Sequence, residues 1–212
     1  MKIYFASANT HKKQEMAELF RPHTILIPAD EGILFDPDET GSSFIENSLI
    51  KAKALWEAVK QPVIADDSGI CVDALDGMPG IYSARYAGQD NVTGKENGCE
   101  ITQDEKNLLL LKHLNETLEK TGQHNRDCHF VCSMVLYLSP DRFYCIQETF
   151  HGCLVNSAEE ALGSGGFGYD PIVFLPEFGK TVAQLSEHEK NTVSHRAKAA
   201  QKMFALLNAI EE

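Results

Sequence analysis

The stretch "VIADDSG", residues 63–69, brings two carboxylates, Asp66 and Asp67, to the end of a short apolar run. Removing one carboxylate from water is costly, and an adjacent like charge adds to the cost, so cations must stand opposite. The loop "DPDETG" supplies two more acids, Asp38 and Glu39. With Asp67 they could converge on one divalent cation. A few oxygen ligands suit Mg²⁺, which keeps several waters and shares its shell with substrate phosphates. Spacing alone is equally met if Asp66 and Asp67 cap turns while Asp38 and Glu39 stay solvated.

Three other segments offer complementary chemistry. "SANTHK", from Ser7 to Lys12, follows a strand-like run and opens a helix. Backbone N–H groups at a helix start, together with one cation, suit a phosphate. The segment lacks the G-x-x-x-x-G-K-[ST] pattern, and an ordinary capped turn reads the same way. "GSGGFGYDP" sets Phe167 and Tyr169 among four glycines, a backbone ill suited to regular packing. It reads as a platform on which a base stacks, or as a glycine-rich turn before the strand "IVFL". "EKNTVSHR" gathers Lys190, His195 and Arg196 at the start of a helix, where a solvated face is the plainer reading.

Elements that position these groups follow from periodicity. Ile3 and Phe5 alternate in a first strand, Asn9-Thr10 caps a helix carrying Met16, Leu19 and Phe20, and "HTILIPAD" gives another strand. Strand, polar turn and helix open an α/β unit. In "TGSSFIENSLIKAKALWEAV", Ser43 and Glu46 make a capping-box pattern. Ile45, Leu49, Ala52, Trp56 and Val59 form its apolar stripe, and Asn47 and Lys51, four apart, share a different face. Residues 89–103 read as a polar, irregular loop, and "DEKNLLLLKHLNETL" as a helix with Leu111, Leu114 and Leu118 inward. "CHFVCSMVLYL" and "RFYCIQETFHG" flank Ser139-Pro140-Asp141 as a hairpin. The tail is helical, with Ala199, Met203, Leu206 and Ile210 in register. Parallel-type units plus a hairpin predict a mixed sheet with helices packed around it.

Totals narrow the class. The 212 residues, 43% of them hydrophobic and 24% charged, predict one sizeable domain over 1–212 and not a disordered chain. No apolar run approaches the roughly 20 residues of a membrane helix, and "IYFAS" behind Met1-Lys2 lacks a signal-peptide pattern, so a cytoplasmic protein that engages no membrane is expected. A net charge of −12 disfavours a nucleic-acid partner. It leaves room for a small anion held by local cations. Cys128 and Cys132 flank His129, yet residues four apart on a strand lie about 13 Å apart. Buried, reduced thiols are the better reading than a metal site.

Taken in order, "SANTHK", "ETGSSFIENSLIKAKA", "ADDSGICVDALDGMPGIYSARYAG", "GSGGFGYDPIVF" and "EKNTVSHRAKA" resemble the inosine triphosphate pyrophosphatase family, over Ser7 to about Lys198. The resemblance implies an α/β fold with an elongated mixed β-sheet flanked by helices, two lobes enclosing a central cleft, and a homodimer. It implies Mg²⁺-dependent hydrolysis of ITP, dITP or XTP to the monophosphate and pyrophosphate. Asp67 matches the family's essential carboxylate, a metal ligand or general base, with Asp38 or Glu39 as its partner. Ser7, Ala8, Asn9, Thr10, His11 and Lys12 would hold the triphosphate, with Lys51 and Ser68 nearby. Phe167, Gly168, Tyr169 and Asp170 would line the nucleoside site together with Lys190, His195 and Arg196. Of these, His195 and Arg196 are expected to donate to the C6 carbonyl that separates hypoxanthine and xanthine from adenine. His11 stands where the family often has glycine, and Gln184 where glutamate is common.

Overall fold

The computed structural model describes residues 1–88, 93, 95–96 and 99–211. The chain forms two compact units: Met1–Ser68, Val131–Thr149 and Asn191–Glu212 make the first, Gly69–Phe130 and Phe150–Lys190 the second. In chain order the regular elements are β1 (Lys2–Phe5), α1 (Thr10–Leu19), β2 (Thr24–Leu26), α2 (Phe44–Val59), β3 (Val63–Val72), β4 (Lys95–Glu96), β5 (Cys99–Glu100), α3 (Gln103–Thr121), β6 (Asp127–Ser139), β7 (Arg142–Leu154), β8 (Val173–Leu175), β9 (Lys180–Thr181), α4 (Glu187–Val193) and α5 (His195–Glu211). Seven strands share one sheet in the order β2-β1-β3-β6-β7-β8-β9. β1 pairs parallel with β2 and β3, while β8 pairs antiparallel with β7 and β9, so the sheet is mixed, as the periodicity predicts.

In the first unit, strand alternation builds two cores. Ile3, Phe5 and Ile64 point to one face, where Met16 and Phe20 from the α1 side and Ala199, Ala200, Met203 and Leu207 of α5 cover them. Tyr4, Ala6, Val63 and Ala65 point to the other, against Ala52 and Leu55 of α2. α2 starts at Ser43, whose hydroxyl accepts from Glu46 N, a cap worth about 1 kcal/mol. Of the expected stripe, Ala52 is buried and Leu49, Trp56 and Val59 pack against this core. Ile45 is 40% exposed, whereas Asn47, Ser48 and Lys51 are buried beside Ala52 and Leu55. Polar side chains tolerate that position because the strand opposite supplies partners: Ser48 Oγ donates to the Ala65 carbonyl at 3.0 Å, and Asn47 and Lys51 meet carboxylates described below. The tail is helical as expected, in two pieces, α4 and α5; Ala199 and Met203 are buried with Leu207, and Leu206 and Ile210 pack against the same core.

In the second unit α3 is held by a Thr102–Glu105 capping box and ends on Gly122 in the left-handed region. Leu110, Leu111 and Leu114 are buried, and so are Asn107 and His113. Part of the expected 89–103 loop lies outside the described residues; within it, β4 and β5 pair antiparallel. Cys128 and Cys132 are free, buried thiols. Among the described residues no helix is long and apolar enough to cross a membrane.

Candidate active site

β3 does not stop at its carboxylates. It runs on through Asp66, Asp67, Ser68 and Gly69 to Val72, and both acids are buried in mid-strand. The alternation that separates Ile64 from Ala65 therefore turns Asp66 towards the α1/α5 face and Asp67 towards α2. Two neighbours in sequence acquire two separate sets of counter-charges.

On the first face Lys12 Nζ donates to Asp66 Oδ1 at 3.1 Å and Arg196 Nε to Asp66 Oδ2 at 3.1 Å. Arg196 also donates through Nη1 to Glu15 at 2.7 Å and through Nη2 to Ser68 Oγ at 3.0 Å. Burial works to raise the Asp66 carboxyl, but Lys12, Arg196 and Lys51 overcome it and hold the group well below the usual carboxylate range. Burial likewise disfavours the arginine's charge, and Asp66 and Glu15 outweigh it. At 2% exposure, with all three guanidinium nitrogens bonded inside the unit, Arg196 is built in as Asp66's counter-ion. That differs from the purine-facing donor expected of it, because a fully buried carboxylate needs a permanent partner. His195, the first residue of α5, is buried beside it.

On the second face Lys51 Nζ lies 3.1 Å from Asp67 Oδ1 and 2.8 Å from Glu39 Oε1. Asn47 Nδ2 donates to the other Asp67 oxygen at 3.2 Å, while its Oδ1 accepts from Gly41 N at 2.8 Å. A Cβ at Gly41 would stand 2.7 Å from that Oδ1, so the glycine lets the acidic loop approach α2 closely. Burial, helped by Glu39, raises the Asp67 carboxyl; Lys51 and Asn47 oppose the shift only in part. For Lys51 burial favours the neutral amine, and Asp67, Asp66 and Glu39 more than offset it, so it stays cationic. Of the loop's two acids, Glu39 is the one brought to the Asp67 network; Asp38 is exposed. Among the described residues no three acidic, histidine or cysteine side chains group as a self-contained metal cage. Two converging carboxylates still fit Mg²⁺, whose remaining positions are commonly filled by waters and phosphate oxygens.

The turn from Ser7 to Lys12 is a capped helix start. Asn9 Oδ1 accepts from His11 N at 2.9 Å and Lys12 N at 3.2 Å, and Ser7 Oγ accepts from Asn9 N at 3.1 Å. Several backbone donors expected to face a phosphate are thus already engaged by side chains. Ala8, Asn9, Thr10 and His11 are exposed. Lys12 is set inward, its charge disfavoured by burial and sustained by Asp66.

In the second unit the glycine-rich segment is clamped by Asp170, buried at 3% exposure. Its Oδ2 accepts from Phe167 N at 2.8 Å and from Lys190 Nζ at 2.8 Å, and the ammonium lies 4.5 Å from the centroid of the Phe167 ring. Gly166 has φ +70°, and a Cβ there would fall 2.1 Å from Asp170 Oδ2, so only glycine admits the clamp. Tyr169 is buried, with its hydroxyl donating to the Ser83 carbonyl at 2.8 Å. Phe167, Asp170 and Lys190 are thus joined by direct contacts.

Sequence reasoning misses three members of the first unit's networks: Asp66, Asn47 and Glu15. Asp66 reads only as a companion to Asp67, although period-two alternation already separates their faces. Asn47 shares a helix face with Lys51, but only Lys51 is given a role, beside the triphosphate. Glu15, one turn after Lys12 on α1, carried no signal of its own.

An open mixed sheet with helices on its faces, and a strand whose adjacent carboxylates are each held by cations, defines an α/β protein with a buried carboxylate–cation constellation. The Ham1 family model matches residues 3–206, and the chain belongs to that family, which bears out the resemblance read from the motifs. It is 50% identical over 200 residues to a dITP/XTP pyrophosphatase of Treponema denticola, covering 94% of each chain. Against a dITP/XTP pyrophosphatase of Geobacillus kaustophilus it is 40% identical, covering 95% of this chain and 91% of the relative. The solved structure of a HAM1 protein from Coxiella burnetii superposes with a TM-score of 0.82 at 32% identity, covering 99% of both chains.

Proposed function

We propose that this chain is a nucleoside-triphosphate pyrophosphohydrolase that takes non-standard purine nucleotides (ITP, dITP and XTP) to the monophosphate and pyrophosphate. The observation that carries the reading is the convergence of Asp67 and Glu39 on one ammonium, Lys51, with the Asp66–Lys12–Arg196 network on the opposite face of the same strand. Relatives of this length and identity named for dITP and XTP support it.

A triphosphate carries nearly four negative charges and cannot approach Asp67 unless cations intervene. Asp67 and Glu39 would hold Mg²⁺, which when bound withdraws charge from phosphate oxygens as the P–O bond breaks. Lys51 and Lys12 neutralise what remains. Asp67, steadied by Asn47, would orient the water that attacks the α-phosphorus and accept its proton. Pyrophosphate leaves in line.

In the second unit Phe167, Gly168, Tyr169 and Asp170, with Lys190, are the nucleoside set, Phe167 offering a stacking face. His195 is the proposed donor to the C6 carbonyl. A donor there opposes adenine's amine, and unpaired polar groups discriminate strongly. Arg196 enters this scheme as the counter-ion that keeps Asp66 ionised. A homodimer in the cytoplasm completes the proposal.

The test is a substrate panel of ITP, XTP, ATP and GTP with Mg²⁺, reading pyrophosphate and orthophosphate separately. The proposal expects pyrophosphate from ITP and XTP well ahead of ATP and GTP. Equal turnover of all four would remove the selectivity, and orthophosphate alone would remove the cleavage site.

A further inference from the structure

We infer that Asn107, in the first turns of α3, is a positioning residue for nucleoside recognition: its amide fixes the Gly168 carbonyl and so sets the Phe167 platform. This rests on the nucleoside reading of residues 167–170 and names the side chain that would orient them.

Asn107 is 6% exposed on the side of α3 that also buries Leu110, Leu111 and Leu114. Asparagine is a poor choice for a helix interior, and its amide tolerates burial only when its groups are bonded. Here they are. Nδ2 donates to the Gly168 carbonyl at 3.3 Å, and Oδ1 accepts from Gln103 Nε2 at 3.0 Å. Gly168 has φ +68° and brings no side chain of its own to hold its peptide. The bond from α3 supplies that constraint.

Phe167 is thereby anchored from both directions along the chain. Asp170 holds its N–H at 2.8 Å, and Asn107 holds the carbonyl of the residue that follows it. The same helix reaches the segment 80–87 twice more. Lys106 Nζ donates to the Ala84 carbonyl at 2.6 Å, and His113 Nδ1 lies 2.7 Å from the Tyr86 hydroxyl. Tyr169 then ties the two segments together through Ser83. α3 is the strut on which the second unit's aromatic motifs are set, and Asn107 is its contact with the stacking loop.

The experiment compares wild type, Asn107→Ala, Gln103→Ala and Phe167→Ala as full chains with Mg²⁺. It measures kcat and KM for ITP, inhibition constants for inosine and for inorganic pyrophosphate, and thermal midpoints. For Asn107→Ala, KM and the inosine constant should rise roughly five- to ten-fold, kcat should change less than about two-fold, and the pyrophosphate constant should hold, the pattern of lost ground-state binding to one part of the substrate. Gln103→Ala, which loosens the amide without removing it, should raise the inosine constant about two-fold by the same reasoning. Unchanged inosine binding in Asn107→Ala, with Phe167→Ala impaired, overturns the role of Asn107 and leaves the nucleoside site standing. Unchanged binding in Phe167→Ala overturns that site as well. Parallel weakening of inosine and pyrophosphate binding would mean general loosening and would also overturn the assignment. Should Asn107→Ala fail to fold, unchanged inosine binding in Gln103→Ala decides against it.

Discussion

Asp66→Asn tests the physical core of the site, because it changes one charge and almost no volume. The carboxylate has no exposed side-chain surface and accepts from Lys12 and Arg196 at 3.1 Å each. Removing one member of a buried ion network costs about 3–5 kcal/mol, mostly through the charges left behind. Arg196 would keep Glu15 at 2.7 Å, and Lys12, 16% exposed, can turn towards water. The expected loss is therefore near the lower end, about 3 kcal/mol. At roughly 2–4 °C per kcal/mol for a chain of this size, the thermal midpoint should fall by about 6–12 °C. The pH dependence adds a second signature. Asp66 has a folded pKa below its unfolded value of about 3.9, so its contribution is complete above that value and lost as pH falls through the folded one. Urea titrations of wild type and variant should show a constant gap from about pH 8 to pH 5, narrowing below about pH 4 as only wild type takes up the extra proton. Coincident midpoints at pH 7.5 would refute the argument that these cations are there to hold Asp66.

Further outcomes follow from the same contacts. Asp67→Asn should lose turnover by about 10³-fold or more while keeping its circular-dichroism spectrum, since an amide neither binds Mg²⁺ well nor accepts the water's proton; most activity retained would count against its role. Glu39→Gln should raise the Mg²⁺ concentration for half-maximal rate about ten-fold, with a smaller effect on the rate at saturating metal, read from Mg²⁺ titrations at fixed ITP. Because burial raises the Asp67 carboxyl, Mn²⁺ affinity measured by electron paramagnetic resonance should begin to weaken at a higher pH than for an ordinary carboxylate site, and an unshifted acid limb would contradict this. Gly166→Ala should cost about 1–2 kcal/mol from positive φ alone and also break the Asp170 clamp, giving a lower thermal midpoint and a raised KM for ITP.

Much of this molecule is legible locally. Ile3 and Phe5 against Tyr4, the Ser43 cap, the Ser139–Asp141 connection and the glycines around Phe167 are patterns a few residues long, and each emerged as the element or loop its spacing predicts. Asn47 and Lys51, one turn apart, were bound to share a face. That this face is buried was not legible, because polar side chains predict exposure until carboxylates on β3 and in the acidic loop stand against them.

By itself, then, the sequence determined the segments that carry chemistry, the order of strands and helices, and the family they resemble, since all three rest on short-range periodicity and residue type. Tertiary structure alone decided that Asp66 faces Arg196, 130 residues away, and that Asp67 faces Lys51 and Glu39. The reason is physical: whether a buried carboxylate is a liability or an anchor depends on which cation the fold brings within about 3 Å, and separation along the chain does not encode that distance.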